Sequence, residues 1–354
     1  MQTQLKSQLG WIDFLKGLSI LAVVVDHMYG ILYVSREFHL FTVFSVTLFI
    51  FLAGVTSVIS LDRNKLAFKD YLIKRTKGIL IPFIVASIIY SIINHNYYFN
   101  LSVFWNELIM FKASPPFYFV LFYCQLILIS PVLYKILNKS GILLKLSSLI
   151  PLYFISKYLT HYTEISGIYG GGGRVLGGSY LFVFYLGMML FMIYKKYGDS
   201  INRLWIHLLG IASSISAIYL LYVSGWLNLG WSNPPNKQTI IYTCSVLLFG
   251  YSLYMILHKS KILSLFSIMG KYSLYIFLYH MLAMFYASKV LLVSGLINNA
   301  LLKSVIFISF AIVIPLAIGY LTKNRLKIVK KISIVWARKS PPVDDANTNK
   351  VIAG

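Results

Sequence analysis

The stretch Ile12-Asp13-Phe-Leu-Lys16-Gly-Leu-Ser-Ile-Leu-Ala-Val-Val-Val-Asp26-His27 is apolar along most of its length, with a cation near its start and an imidazole at its end. As a helix it places Lys16 and His27 on one face, within about 20° of each other and roughly 16 Å apart along the axis. That rise is about half the hydrocarbon thickness of a bilayer. With Lys16 at one membrane surface, His27 lies near the middle, where an ionisable group is costly and marks a functional-site candidate.

Apolar runs of this kind recur along the chain. It has 354 residues, 58% of them hydrophobic and only 12% charged, and a mean hydropathy of +0.75. A soluble domain would carry about twice that share of charge. The reading is an all-α, polytopic integral membrane protein of about ten transmembrane helices. The expected spans are 12–34, 39–61, 78–95, 116–137, 143–160, 178–194, 204–223, 239–257, 272–292 and 303–322. No small-residue cleavage site closes the first run, so it is expected to stay as a signal-anchor. Residues 1–336 read as one transmembrane domain. Residues 337–354, with Pro341-Pro342 and Asn-Thr-Asn, read as a disordered cytoplasmic tail.

The formal net charge is +22, which in a soluble protein would suggest nucleic acid. Here its distribution sets topology instead. With the N-terminus in the cytoplasm, about 25 basic residues fall inside and about 7 outside, a strong positive-inside bias. Both termini are then cytoplasmic, and the basic segments face anionic lipid. Nucleic acid is not expected as a partner. Cys124 and Cys244, far apart in sequence and inside spans, are expected to pack as small apolar residues.

His39, His95 and His161 fall near the expected outer interface, and His207 and His258 near the inner one. Only His27 and His280 lie well inside spans, where desolvation favours the neutral imidazole that a general base needs. Asp13 and Lys16 form an i,i+3 pair able to neutralise each other at the interface. Asp26 points about 100° away from His27, toward another helix or toward orienting the imidazole. Lys74, Arg75 and Lys77 stand in a basic loop just before the helix containing Pro82, where cations beside a helix N-terminus suit phosphate; ordinary topology charge is the competing explanation. The outer stretch Ser166-Gly-Ile-Tyr-Gly-Gly-Gly-Gly-Arg174-Val-Leu-Gly-Gly-Ser179 permits close approach to a ligand, or serves as a flexible connector. No His-Glu-x-x-His motif, cysteine cluster or Gly-x-Ser-x-Gly elbow occurs, so neither metal catalysis nor a serine nucleophile is expected.

Four segments resemble acyltransferase family 3, multi-spanning enzymes that acylate bacterial surface sugars. They are Ile12-Asp13-x-Leu15-Lys16-Gly17 followed by His27; Phe49-Ile-Phe-Leu-Ala53-Gly54; the Lys74-Arg75-x-Lys77 cluster ahead of Pro82; and Gly270-Lys271-Tyr-Ser273-Leu-Tyr275-Ile-Phe-Leu-Tyr-His280. Phe184-Tyr-Leu-Gly187 adds support. The sequence departs from the family pattern at Lys16, where arginine is commoner, and at Ala53, where serine is usual. Pro115-Pro116-Phe117-Tyr118-Phe119 stands where many members have His-Leu-Trp-Phe-Leu.

The resemblance implies a membrane O-acyltransferase, most simply an O-acetyltransferase, that takes its acyl group from acetyl-coenzyme A or another acyl-coenzyme A. The acceptor is expected to be a hydroxyl of a cell-surface or lipid-linked glycan, at the bacterial plasma membrane, with no metal. His27 is expected to be the general base, with Lys16 beside the reaction. Lys74, Arg75 and Lys77 would hold the coenzyme A phosphates. Asp13, Ser273 and His280 are expected to support the site or the acceptor. A transporter or flippase of a glycan or amphiphile is the alternative, disfavoured by the absence of internal repeats. A non-enzymatic assembly protein is a third reading.

Overall fold

A computed structural model describes residues 10–29, 40–63, 68–166, 176–197, 203–222, 234–257, 259–294 and 300–339. Arg36, His39, His258, the Gly-rich stretch as far as Val175, and the tail beyond Lys339 lie outside these. The described residues are helical, with no strand among them. In chain order the helices are α1 (Gly10–Asp26), α2 (Phe44–Arg63), α3 (Phe68–Asn94), α4 (Leu101–Ile109), α5 (Tyr118–Lys139), α6 (Ile142–Ser147), α7 (Leu149–Ser166), α8 (Ser179–Tyr197), α9 (Arg203–Tyr222), α10 (Lys237–Leu257), α11 (Lys261–Lys271), α12 (Ser273–Ser294) and α13 (Ala300–Lys339).

Among the described residues, six segments are long and apolar enough to cross a membrane. They are Leu40–Asp62, Phe68–Asn94, Pro115–Lys139, Ile142–Tyr162, Lys237–Leu257 and Leu302–Asn324. The α11–α12 pair, bent by 84°, makes up to seven. Helices α1, α8 and α9 lie where the other three spans were expected and are not among these segments, with Leu204–Tyr219 of α9 a shorter apolar helix. The protein is a helical, multi-pass membrane protein.

Helices α1 and α8 form the interior of the bundle, so their neighbours are protein rather than lipid. Trp11, Ile12, Phe14, Leu15, Ile20, Val23 and Val24 of α1 are buried, as are Leu181, Phe184, Met188 and Met189 of α8. By contrast α7 shows Ile150, Phe154, Ile155 and Tyr158 to the surroundings, the pattern of a helix against hydrocarbon. Buried methyl and aromatic groups of α1, α2, α5, α8 and α10 make one core. A second joins α1, α3, α5, α12 and α13 around Ile20, Phe83, Phe117, Ile276 and Phe307.

Two helix crossings are built on glycine pairs. A Cβ on Gly17 would run into the carbonyl of Phe266, and one on Gly270 into the carbonyl of Asp13, so α1 and α11 touch backbone to backbone. In the same way Gly54 lies on the carbonyl of Phe184 and Gly187 on that of Phe51, which locks α2 to α8. Small residues permit such approach in a bilayer, where helix association depends on packing.

Three boundaries differ from the sequence expectation. The first span was expected to run to residue 34, but α1 ends at Asp26. The Met28 amide donates to the Val25 carbonyl and the Tyr29 amide to Asp26, so the last turn tightens and stops. The run Lys69–Lys77 is not a loop before a helix; it occupies the first turns of α3, which starts at Phe68. Residues 261–271, expected as an inner loop, form α11, capped by the Ser260 hydroxyl accepting from the Ile262 amide.

Asp62, at the end of α2, ties two other helices together. It accepts from the Tyr134 hydroxyl of α5 at 2.5 Å and from Lys195 of α8 at 2.8 Å. The Lys195 side chain is 60% exposed, so most of the stabilisation comes from the tyrosine bond. Tyr134→Phe is expected to cost about 1 kcal/mol of stability, read as a lowered melting temperature of the detergent-solubilised protein with acyl transfer retained.

Candidate active site

The elements above converge on a cavity of about 470 Å³. Each contributes at helical spacing. Helix α3 presents Tyr71, Lys74, Arg75, Gly78 and Ile79, α5 presents Phe119, Val120 and Tyr123, and α12 presents Ser273, Leu274 and Phe277. Lys16 of α1, Phe49 and Ala53 of α2, and Gly270 and Lys271 of α11 complete the wall. The Gly17–Gly270 crossing is what brings Lys271 and Ser273 beside Lys16.

The cavity is cationic at one end. Lys16 interacts electrostatically with Asp13, Arg75 and Lys323, and Asp13 with Lys16, Lys271 and Lys323. One carboxylate thus faces three cations, Lys16, Lys271 and Lys323, with Arg75 a further neighbour of Lys16. Nε and Nη2 of Arg75 are buried and have no hydrogen-bond partner among the described residues. Those two nitrogens are donors without an acceptor, and an unmade bond from a buried charged group is expensive. Lys323 is held by its ammonium donating to the Lys271 carbonyl at 2.6 Å and lying 4.6 Å over the Tyr272 ring.

His27 and His280 lie beyond the cavity wall and against each other, with ring centroids 5.0 Å apart in an edge-to-face arrangement. Each has its Nδ1 committed to the preceding helical turn. His27 Nδ1–H donates to the Val23 carbonyl at 2.8 Å. His280 Nδ1–H is shared between the carbonyls of Phe277 at 2.8 Å and Ile276 at 3.1 Å. A carbonyl only accepts, so Nδ1 carries a proton in both rings, and in the neutral form of each the lone pair is on Nε2. His280 is fully buried, and its Nε2 has no partner among the described residues.

The sequence-derived candidates therefore divide. Lys16, Lys74, Arg75 and Ser273 line one cavity, and His27 meets His280 outside it. Lys77 is exposed on α3 and does not line the cavity. With the basic run inside α3, its cations work as side chains on a helix flank, and the helix N-terminus is not part of their site. Asp13 and Lys16 interact through space without a close ion pair among the described residues. Asp26 accepts from the Thr42 hydroxyl at 2.7 Å, so it contacts a different segment. Lys271, Tyr123, Phe119 and Phe277 were missed as site residues. Lys271 carried a signal, since it sits in the Gly270–Ser273 motif; the three aromatics read as ordinary core. Among the described residues no group of three His, Cys, Asp or Glu is placed to hold a metal.

Membrane helices enclosing a cavity that is cationic at one end, with a pair of histidines behind its Phe277 wall, define a membrane-embedded protein with a polar site inside the bundle. The chain matches the family model described as an acyltransferase domain over residues 9–321. It belongs to acyltransferase family 3 and is an enzyme that transfers acyl groups. No curated protein and no solved structure matches it.

Proposed function

We propose that this acyltransferase moves an acetyl group from acetyl-coenzyme A to a hydroxyl of a cell-surface or lipid-linked glycan at the bacterial plasma membrane, with His27 as general base. The observation that carries the reading is the pairing of a cationic cavity, lined by an Arg75 whose Nε and Nη2 have no partner among the described residues, with two histidines behind its Phe277 wall. The cations fit the phosphates of a coenzyme A thioester entering from the positively charged, cytoplasmic side. A free lone pair at His27 Nε2 fits the removal of a proton from the acceptor hydroxyl.

In the proposed reaction the acceptor oxygen attacks the thioester carbonyl while His27 Nε2 takes its proton. The carbon–sulfur bond then breaks, and the proton passes to the leaving thiolate. The Val23 carbonyl fixes the ring and steadies the imidazolium through Nδ1–H. His280, packed edge to face on His27, holds that ring in place and keeps water from it. Lys16 sits where negative charge enters, near Arg75 and Lys271.

Arg75→Gln is expected to raise the KM for acetyl-coenzyme A roughly ten- to hundredfold, the value of one or two charge-assisted hydrogen bonds. Initial rates at varied donor concentration check this. The reading as a whole is tested by mass spectrometry of the surface polysaccharide with and without the protein. Loss of a 2-carbon acyl mass on deletion is the expected outcome, and an unchanged glycan would reject it.

A further inference from the structure

The cavity and the histidine pair are neighbours, joined through aromatic residues that line the cavity. Phe119 and Phe277 both line the cavity, whereas neither histidine does. Their rings are in contact, with centroids 5.1 Å apart. Phe277 lies one turn before His280 on α12 and touches its ring, with centroids 6.2 Å apart. A chain of ring contacts thus runs from the cavity-lining Phe119 and Phe277 to His280 and on to His27. Phe119 is braced from behind by Phe122 at 5.1 Å and by stacking on Tyr123 at 5.5 Å.

We propose that Phe119 and Phe277 form an aromatic partition between the donor cavity and the His27–His280 pair, passing a short acyl group and holding back longer chains and water. The inference rests on the acyl-coenzyme A reading above. Its physical basis is that the two rings are in contact on the cavity wall and Phe277 packs on His280, so an acyl group taking this way to His27 would displace one of them. A two-carbon group needs a small displacement; each further methylene must find room among Phe49, Phe119 and Phe277, in a wall already packed. Closing the path also protects the thioester. Water reaching it beside His27 would add its oxygen to the carbonyl carbon, break the carbon–sulfur bond and leave acetate and the free thiol, with no acceptor consumed.

Phe277 can be changed without losing the orientation of His280, because the bond to Nδ1 comes from the backbone carbonyl of residue 277. The test uses the full-length protein in detergent with acetyl- and hexanoyl-coenzyme A, reading release of the free thiol without acceptor and acyl transfer with it. For Phe277→Ala, acceptor-independent thiol release is expected to rise about tenfold or more, and the preference for acetyl over hexanoyl to fall by a similar factor. A generally damaged enzyme would lose both activities, so a rise in one of them separates the partition from mere packing. Phe277→Leu and Phe119→Leu keep an apolar side chain and carry the same expectation at smaller size if the alanine variant fails to fold. Unchanged thiol release and unchanged donor preference in folded variants that still transfer acetyl would overturn the partition. The parent reading has its own control, acetyl transfer by the wild-type protein that is lost in His27→Ala. If the wild type transfers nothing, that reading falls and takes the partition with it.

Discussion

His27→Ala is expected to lower acetyl transfer by roughly two to four orders of magnitude while leaving the amount of folded protein near normal. The imidazole is replaced at the end of α1, after the helix has closed its last turn, so the backbone bond from the residue 27 amide to Val23 survives. What is lost is the Nε2 lone pair and the contact with His280. The cationic end of the cavity is three helical turns away and untouched, so binding of the donor should persist. The informative comparison is thus turnover against donor affinity, measured on one preparation. A variant that turns over normally would remove His27 from the chemistry. A variant that also fails to bind donor would show that the histidine supports the fold rather than the reaction.

The largest structural effect is expected at Gly270. An alanine there drives its Cβ into the Asp13 carbonyl and against the Gly17 amide, both of them backbone atoms that cannot rotate aside. The helices must separate, and overpacking of a close contact costs about 1–3 kcal/mol or more. Because Lys271 and Ser273 reach the cavity through this crossing, activity should fall together with stability. Gly141→Ala is the matched control, since a Cβ there meets nothing within 4 Å. Size-exclusion profiles and melting curves of the two variants should differ sharply, with Gly270→Ala aggregated or melting early and Gly141→Ala unchanged.

These two sites also show what the sequence makes legible. The class could be read because hydropathy is local: the apolar run from Ile12 follows from residue type alone, whereas the placing of His27 well inside a longer span did not hold, because α1 ends at Asp26. The motif glycines were visible as letters but not as partners, since Gly17 and Gly270 are joined only by a crossing between helices distant in sequence. The contact of His27 with His280 escaped for the same reason. Period and depth place each on its own helix and are silent about which helices are neighbours. The basic run Lys69–Lys77 was misread as a loop because charge interrupts the apolar pattern there, although nothing in Lys69-Asp-Tyr-Leu-Ile-Lys74-Arg75-Thr-Lys77 breaks a helix and Pro82 is tolerated inside α3. Phe119 and Phe277 gave no signal at all, because an aromatic side chain lining a cavity and one filling a core look alike in sequence.

Lys16, Lys74, Arg75 and Lys271 line one cavity, a placement that topology alone does not require. Charge on an inner loop orients a membrane protein, but Arg75 is turned into the bundle with two guanidinium nitrogens unsatisfied among the described residues. Retaining a buried cation in that state makes sense when an anion completes it.

The most direct measurement is transfer of isotopically labelled acetyl from acetyl-coenzyme A by the purified protein in sealed vesicles, with donor supplied on the side bearing Lys16 and Arg75 and glycan acceptor on the other. The account predicts label in ester linkage on the glycan, dependent on His27 and on donor presented at that side alone. Label-free glycan, with the protein folded and acetyl-coenzyme A intact, would contradict it.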